Sequence, residues 1–113
     1  MMSVTDYVQA AYNNAVRHGF WDPDKQGLTE DINTKLLLII SELTEAMDEL
    51  RNGHPYHEVY YNGEKPEGFG VELADAVIRI FDLAGGLNLP LEKLLSDKMK
   101  YNLGRPCKHG KEF

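Results

Sequence analysis

Four apolar-patterned stretches with helical spacing, each closed by a glycine or an Asn-Gly pair, constrain this chain more than any other feature. In the first, Ser3 and Asp6 read as a capping box. Val8, Ala11, Tyr12, Ala15 and Val16 then keep one apolar face until Gly19, so a helix is expected over about 4–18. A second helix is expected over 31–51, with the stripe Leu36, Ile39, Leu43, Met47 and Leu50 ending at Asn52-Gly53. The third is expected over 69–84, carrying Leu73, Ala76, Val77 and Ile80 and stopped by Gly85-Gly86. The fourth, over 90–103, opens at Pro90, runs through Leu91, Leu94, Leu95 and Met99, and stops at Gly104. No strand pattern competes with these segments and no repeat is visible, so the expected fold is all-α. A four-helix bundle-like domain spanning 1–113, with a polar tail from about 105, is the simplest arrangement.

Between the helices lie two shaped segments. Residues 20–30 mix Phe20 and Trp21 with the breakers Pro23 and Gly27, which suits a loop. Residues 53–68 have no helical period and read as a loop or short irregular hairpin, long enough to hint at function or a subunit contact. A chain of 113 residues has little material for a deep pocket of its own, so oligomerisation is plausible. The net charge of −6, with 18 acidic against 12 basic residues, argues against binding a DNA or RNA polymer, though a local cation cluster can still hold a nucleotide. Cys107 is the only cysteine, so no intrachain disulfide can form and a reducing cytoplasm is the expected setting. The longest apolar run, Leu36 to Ile40, falls far short of the roughly 20 residues that span a bilayer, and the N-terminus has no signal-peptide pattern.

Function is suggested by two acidic pairs. Glu42 and Glu45 in Ser-Glu-Leu-Thr-Glu, and Glu72 and Asp75 in Glu-Leu-Ala-Asp, are each three apart, so each pair shares a helix face. The loop between the two helices lets them return antiparallel. Four carboxylates facing one another repel unless a cation sits among them, and oxygen donors of this kind suit magnesium, with manganese as a substitute. Magnesium in turn suggests phosphate chemistry. The bland alternative is a set of solvated charges, with Arg79 forming a helical ion pair with Asp75 four residues earlier.

Other metal chemistries lack their residues. None of His18, His54, His57 and His109 lies three after a glutamate, as a di-iron bundle requires, and one cysteine with scattered histidines gives no closed zinc set. The stretch from Asp22 to Gly27 imitates the opening of a calcium loop but has Asn33 where a bidentate glutamate belongs. A cationic group near the C-terminus, Lys98, Tyr101, Asn102, Arg105, Lys108, His109 and Lys111, can either complement phosphate oxygens or simply offset a helix dipole. Phe20 and Trp21 are equally open, as base-stacking residues or as core and subunit contacts.

Ser41 through Glu45, 26 intervening residues, then Glu72 through Asp75, together with Lys98-Met-Lys-Tyr-Asn102-Leu-Gly-Arg105, resembles the pattern of MazG-like nucleoside triphosphate pyrophosphohydrolases. The similarity runs from about Lys35 to Lys111. It departs at Ser41, where the family pattern often has a further glutamate, which leaves the number of metal ions open. The resemblance implies an all-α homodimer or homotetramer that hydrolyses a nucleoside or deoxynucleoside triphosphate to monophosphate and pyrophosphate by water attack at the α-phosphorus. It implies Glu42, Glu45, Glu72 and Asp75 as magnesium ligands and Lys98, Asn102 and Arg105 as phosphate or sugar contacts. Glu42 or Glu45 would polarise the water, and Lys35 and Trp21 are further substrate-binding candidates. The all-α dUTPases and phosphoribosyl-ATP pyrophosphohydrolases share this metal logic, and a non-catalytic helical interaction protein is the alternative outside enzymology.

Overall fold

The computed structural model describes residues 1–107. Lys108, His109 and Lys111 of the expected cationic group lie outside the described residues. Four helices dominate: α1 (Val4–Arg17), α2 (Thr29–Arg51), α3 (Phe69–Gly86) and α4 (Leu91–Leu103), with two short strands, β1 (Tyr60–Asn62) and β2 (Lys65–Glu67), between α2 and α3. No described helix is long and apolar enough to cross a membrane.

Local chemistry explains most boundaries. At α1 the capping box forms as the sequence predicts: Ser3 Oγ accepts from the Asp6 amide at 3.1 Å, and Asp6 Oδ2 accepts from the Ser3 amide at 2.9 Å. α2 starts two residues before the expected Asp31, behind Leu28, which offers no side-chain cap; Glu30 and Asp31 in its first turn complement the helix dipole. Pro90 is the N-cap of α4 and not its first helical residue.

The all-α expectation needs one addition. Within residues 53–68, β1 and β2 pair antiparallel, Tyr60 opposite Glu67 and Asn62 opposite Lys65, around a two-residue turn of Gly63 and Glu64. Glycine stands first in that turn with φ 66°, a left-handed conformation that few other residues adopt readily. Three-residue strands are too short to show a period of two, which is why only an irregular hairpin was legible. Tyr60 ties the hairpin to α2, its hydroxyl lying 2.9 and 2.8 Å from the two carboxylate oxygens of Glu49.

α3 is the central element. It packs against α1 on one side and α2 on the other, while α4 rests on α1. One tie between the last two is the Thr5 amide donating to Glu92 Oε1 at 3.2 Å. Among the described residues the buried set is small and made mainly of small residues: Val8, Ala15, Trp21, Ala46, Ala76 and Ala84, with Glu42 the one buried charge. Alanine at the α2 and α3 contact lets the two backbones approach closely and brings their acidic edges together.

α2 is oriented otherwise than a plain amphipathic reading suggests. Ala46 and Glu42 face inward, whereas Leu36, Leu43, Met47 and Leu50 of the expected core stripe are exposed. At about 100° per residue, Leu36, Leu43 and Met47 lie more than a quarter-turn from Glu42, and Leu50 about 80° from it. The helix has two apolar-lined faces, and the one bearing the carboxylates meets α3.

Candidate metal and phosphate site

Each acidic group reaches the site from a rigid helix. Glu42 and Glu45 lie one turn apart on α2, and Glu72 lies in the first turn of α3. One carboxylate oxygen from each of the three falls within 4.8 Å of the other two. Asp75, one turn further along α3, stands outside this triad but lines, with Glu42, a cavity of about 280 Å³ between α1, α2 and α3. Lys35, Phe20, Arg79 and Asp82 line the same cavity.

The electrostatics are those of crowded acids. Burial works against the charged form of Glu42, which is 8% exposed. The hydrogen bond from Arg79, aided by those shared with Glu45 and Glu72, outweighs burial and holds its carboxyl below the usual range. Glu72 goes the other way. Burial, the neighbouring carboxyls of Glu42 and Glu45, and the charges of Glu45 and Asp75 push it up to about 8. Glu45 is raised chiefly by its contact with Glu42, and Asp75 chiefly by burial and then by the Glu42 charge. The hairpin takes part, since the Lys65 charge acts on Asp75 in the opposite sense.

A divalent cation fits this donor set. Three carboxylate oxygens converge from two helices, all of them hard ligands. Glu72 Oε2 is buried without a hydrogen-bond partner, an uncompensated acceptor that a cation would satisfy.

Arg79 is the residue whose role the sequence concealed. Spacing suggests an ion pair with Asp75 on the same helix, but the structure gives Arg79 to α2: its Nε donates to Glu42 Oε1 at 2.8 Å. Asp82 is occupied by Trp21, whose Nε1 donates to Asp82 Oδ1 at 2.7 Å. Lys35 Nζ donates to the Phe20 carbonyl at 3.0 Å and lies 4.1 Å over the Trp21 ring.

Of the other expected site residues, Lys35 is at the cavity and Trp21 beneath it. Trp21 is 8% exposed, meets Tyr12 edge-on with ring centroids 5.5 Å apart, and presses on Gly86. Of its two open readings this placement favours the core contact, while Phe20, at 64% exposure, is the aromatic left at the cavity. Lys98, Asn102 and Arg105 are carried by α4 and the turn after it, and none of them lines the cavity. Lys98 and Arg105 instead lie over the Tyr101 ring, at 4.9 and 5.5 Å, and Asn102 Oδ1 is buried without a partner.

Comparison with protein-family models, with curated proteins and with solved structures finds no match for this chain.

Proposed function

We propose that this chain is a magnesium-dependent nucleoside triphosphate pyrophosphohydrolase of the MazG-like kind, acting on a nucleoside or deoxynucleoside triphosphate. The observation that carries the reading is the convergence of Glu42, Glu45 and Glu72 oxygens within 4.8 Å, beside a cavity that also holds Lys35 and Arg79. Acids that hold a cation and bases that meet phosphate oxygens are what such a substrate needs on its two sides. Magnesium, or manganese in its place, would offset charge on the phosphates and on the departing pyrophosphate.

The chain's own residues divide the remaining work. Glu42, Glu45 and Glu72, whose oxygens converge, would hold the cation, with Asp75 one turn further along α3 beside them. Glu42 has one oxygen committed to Arg79, which leaves the more exposed Glu45, with its raised proton affinity, as the base that takes a proton from water. The water oxygen bonds to the α-phosphorus as the bond from that phosphorus to the α,β-bridging oxygen breaks. The products are monophosphate and pyrophosphate. Lys35 contributes positive charge at the cavity wall, and Phe20 offers a face to the base. Lys98, Asn102 and Arg105 are assigned to phosphate or sugar contact by resemblance alone. Assembly as a homo-oligomer completes the reading, because much of the apolar surface of α2 and α4 is uncovered in one protomer.

The test is a panel of canonical and modified triphosphates, assayed for pyrophosphate and monophosphate with magnesium and with chelator. Equal amounts of the two products, lost on chelation, are expected, with label from heavy-oxygen water appearing in the monophosphate. Glu45→Gln should lower kcat/KM by about 100-fold or more. Orthophosphate as the sole product, or full activity in Glu42→Gln and Asp75→Asn, would sink the proposal and leave the helical interaction protein as the better account.

A further inference from the structure

One cation at the cavity is only partly used. Arg79 carries five N–H donors in a planar, positively charged fork. Its Nε is engaged with Glu42 Oε1 at 2.8 Å, yet among the described residues neither Nη group meets a hydrogen-bond partner. The side chain is 37% exposed and lines the cavity beside Asp75 and Asp82. Both aspartates feel the Arg79 charge, but among the described residues neither forms an ion pair or hydrogen bond with it, and Asp82 accepts from Trp21. The guanidinium therefore has one edge fixed to a candidate metal ligand and the other open to the space where phosphates would lie. A fork of this shape matches two oxygens of a phosphate group.

From this geometry we infer that Arg79 is a substrate-contacting residue, whose Nη edge binds phosphate oxygens of the cation–phosphate complex. The inference rests on the proposed function and adds to it a phosphate contact made by α3 itself, inside one protomer. It also separates two ligands. The acids around Arg79 outnumber Lys35 and Arg79, so a bare anion is repelled and the phosphate must arrive with its cation. Conversely, a bare cation gains when the arginine charge is removed.

The experiment measures binding and not turnover. Manganese binding to the free protein is followed by electron paramagnetic resonance, and binding of magnesium methylenediphosphonate, a non-hydrolysable pyrophosphate mimic, by calorimetry. In Arg79→Gln the diphosphonate complex should bind about 10- to 100-fold more weakly. Manganese alone should bind as tightly as to the wild type or more tightly, and Arg79→Lys should recover part of the diphosphonate affinity. A residue that merely holds Glu42 in place would lose both ligands in parallel, and that result overturns the inference, as does unchanged diphosphonate affinity or a wild type that does not bind it. If Arg79→Gln does not fold, Arg79→Lys decides alone: weaker diphosphonate binding with normal manganese binding supports the contact, and equal affinity removes it. Arg79-dependent binding in a protein that hydrolyses no triphosphate would sink the proposed reaction and leave this contact standing.

Discussion

Glu42 and Glu72 face the same few ångströms of space and respond oppositely. Arg79 makes the difference: it donates to Glu42, and nothing equivalent reaches Glu72, whose Oε2 is buried without a partner. The proton of Glu72 is held up to about pH 8 in the folded chain, against 4.5 for an ordinary glutamate. Between those values the folded chain binds more protons than the unfolded one, so this group's contribution to stability is full below pH 4.5 and is lost as the pH rises through 8. Glu45 and Asp75, also raised, act in the same sense, and Glu42, lowered, acts in the other. The metal-free protein should therefore melt at a lower temperature at pH 8 than at pH 6, and magnesium should recover the loss at pH 8 by binding the ionised cluster. Glu72→Gln keeps the shape and removes the titration. It should raise the metal-free melting temperature at pH 8, flatten its pH dependence and abolish the magnesium-induced gain, all readable by scanning calorimetry. A wild-type melting temperature that does not change between pH 6 and 8 would refute the account.

Among the elements, α3 departs most instructively from its sequence. Gly85-Gly86 reads as a terminator, yet both are helical: α3 runs to Gly86, with Leu87 as its C-cap. The glycines are there for close approach: a Cβ on Gly86 would run into the Trp21 ring, and one on Gly85 would lie 2.6 Å from Tyr12 Cβ. Gly86→Ala should thus overpack the junction of α3 with the loop before α2, costing about 1–3 kcal/mol. That corresponds to a fall in melting temperature of roughly 4–15 °C. Gly104→Ala, with φ −90° and its nearest neighbour at 3.7 Å, is the control and should be close to neutral. Equal melting temperatures for the two variants would show that Trp21 does not pack there as described. The same glycines show what sequence can carry. Periodicity located all four helices because helical spacing is a local property; of the four carboxylates expected to converge, Glu42, Glu45 and Glu72 come together and Asp75 stands outside the group. Whether a glycine stops a helix or admits an indole from over 60 positions away is settled by the tertiary neighbour. The partner of Arg79 was hidden for the same reason, since Asp75 one turn away is the obvious local choice and Glu42 is a distant one. Lys98 and Asn102 share a face with the α4 leucines, but periodicity does not say which helix that face meets.

At the scale of the whole molecule the outstanding fact is apolar surface left uncovered. Leu36, Ile40, Leu43 and Met47 form one stripe on α2 and are 44%, 56%, 44% and 59% exposed, while α4 buries none of its residues. A 13-residue helix is marginal by itself in water, so α4 needs more packing than its seat on α1 supplies. A second copy of the chain is the partner that brings an apolar stripe of matching length wherever the first copy is present. The protein should therefore run in sedimentation equilibrium at a multiple of 12.8 kDa, at concentrations of about 10 μM and above. Ile40→Lys with Met47→Lys places two charges in the stripe and none in the acidic site, and should shift the species to a monomer whose far-ultraviolet circular dichroism remains helical. Because Glu42 and Glu72 belong to one protomer, manganese binding should persist in that monomer. Wild-type protein that stays monomeric at 100 μM would show instead that the stripe is simply solvated.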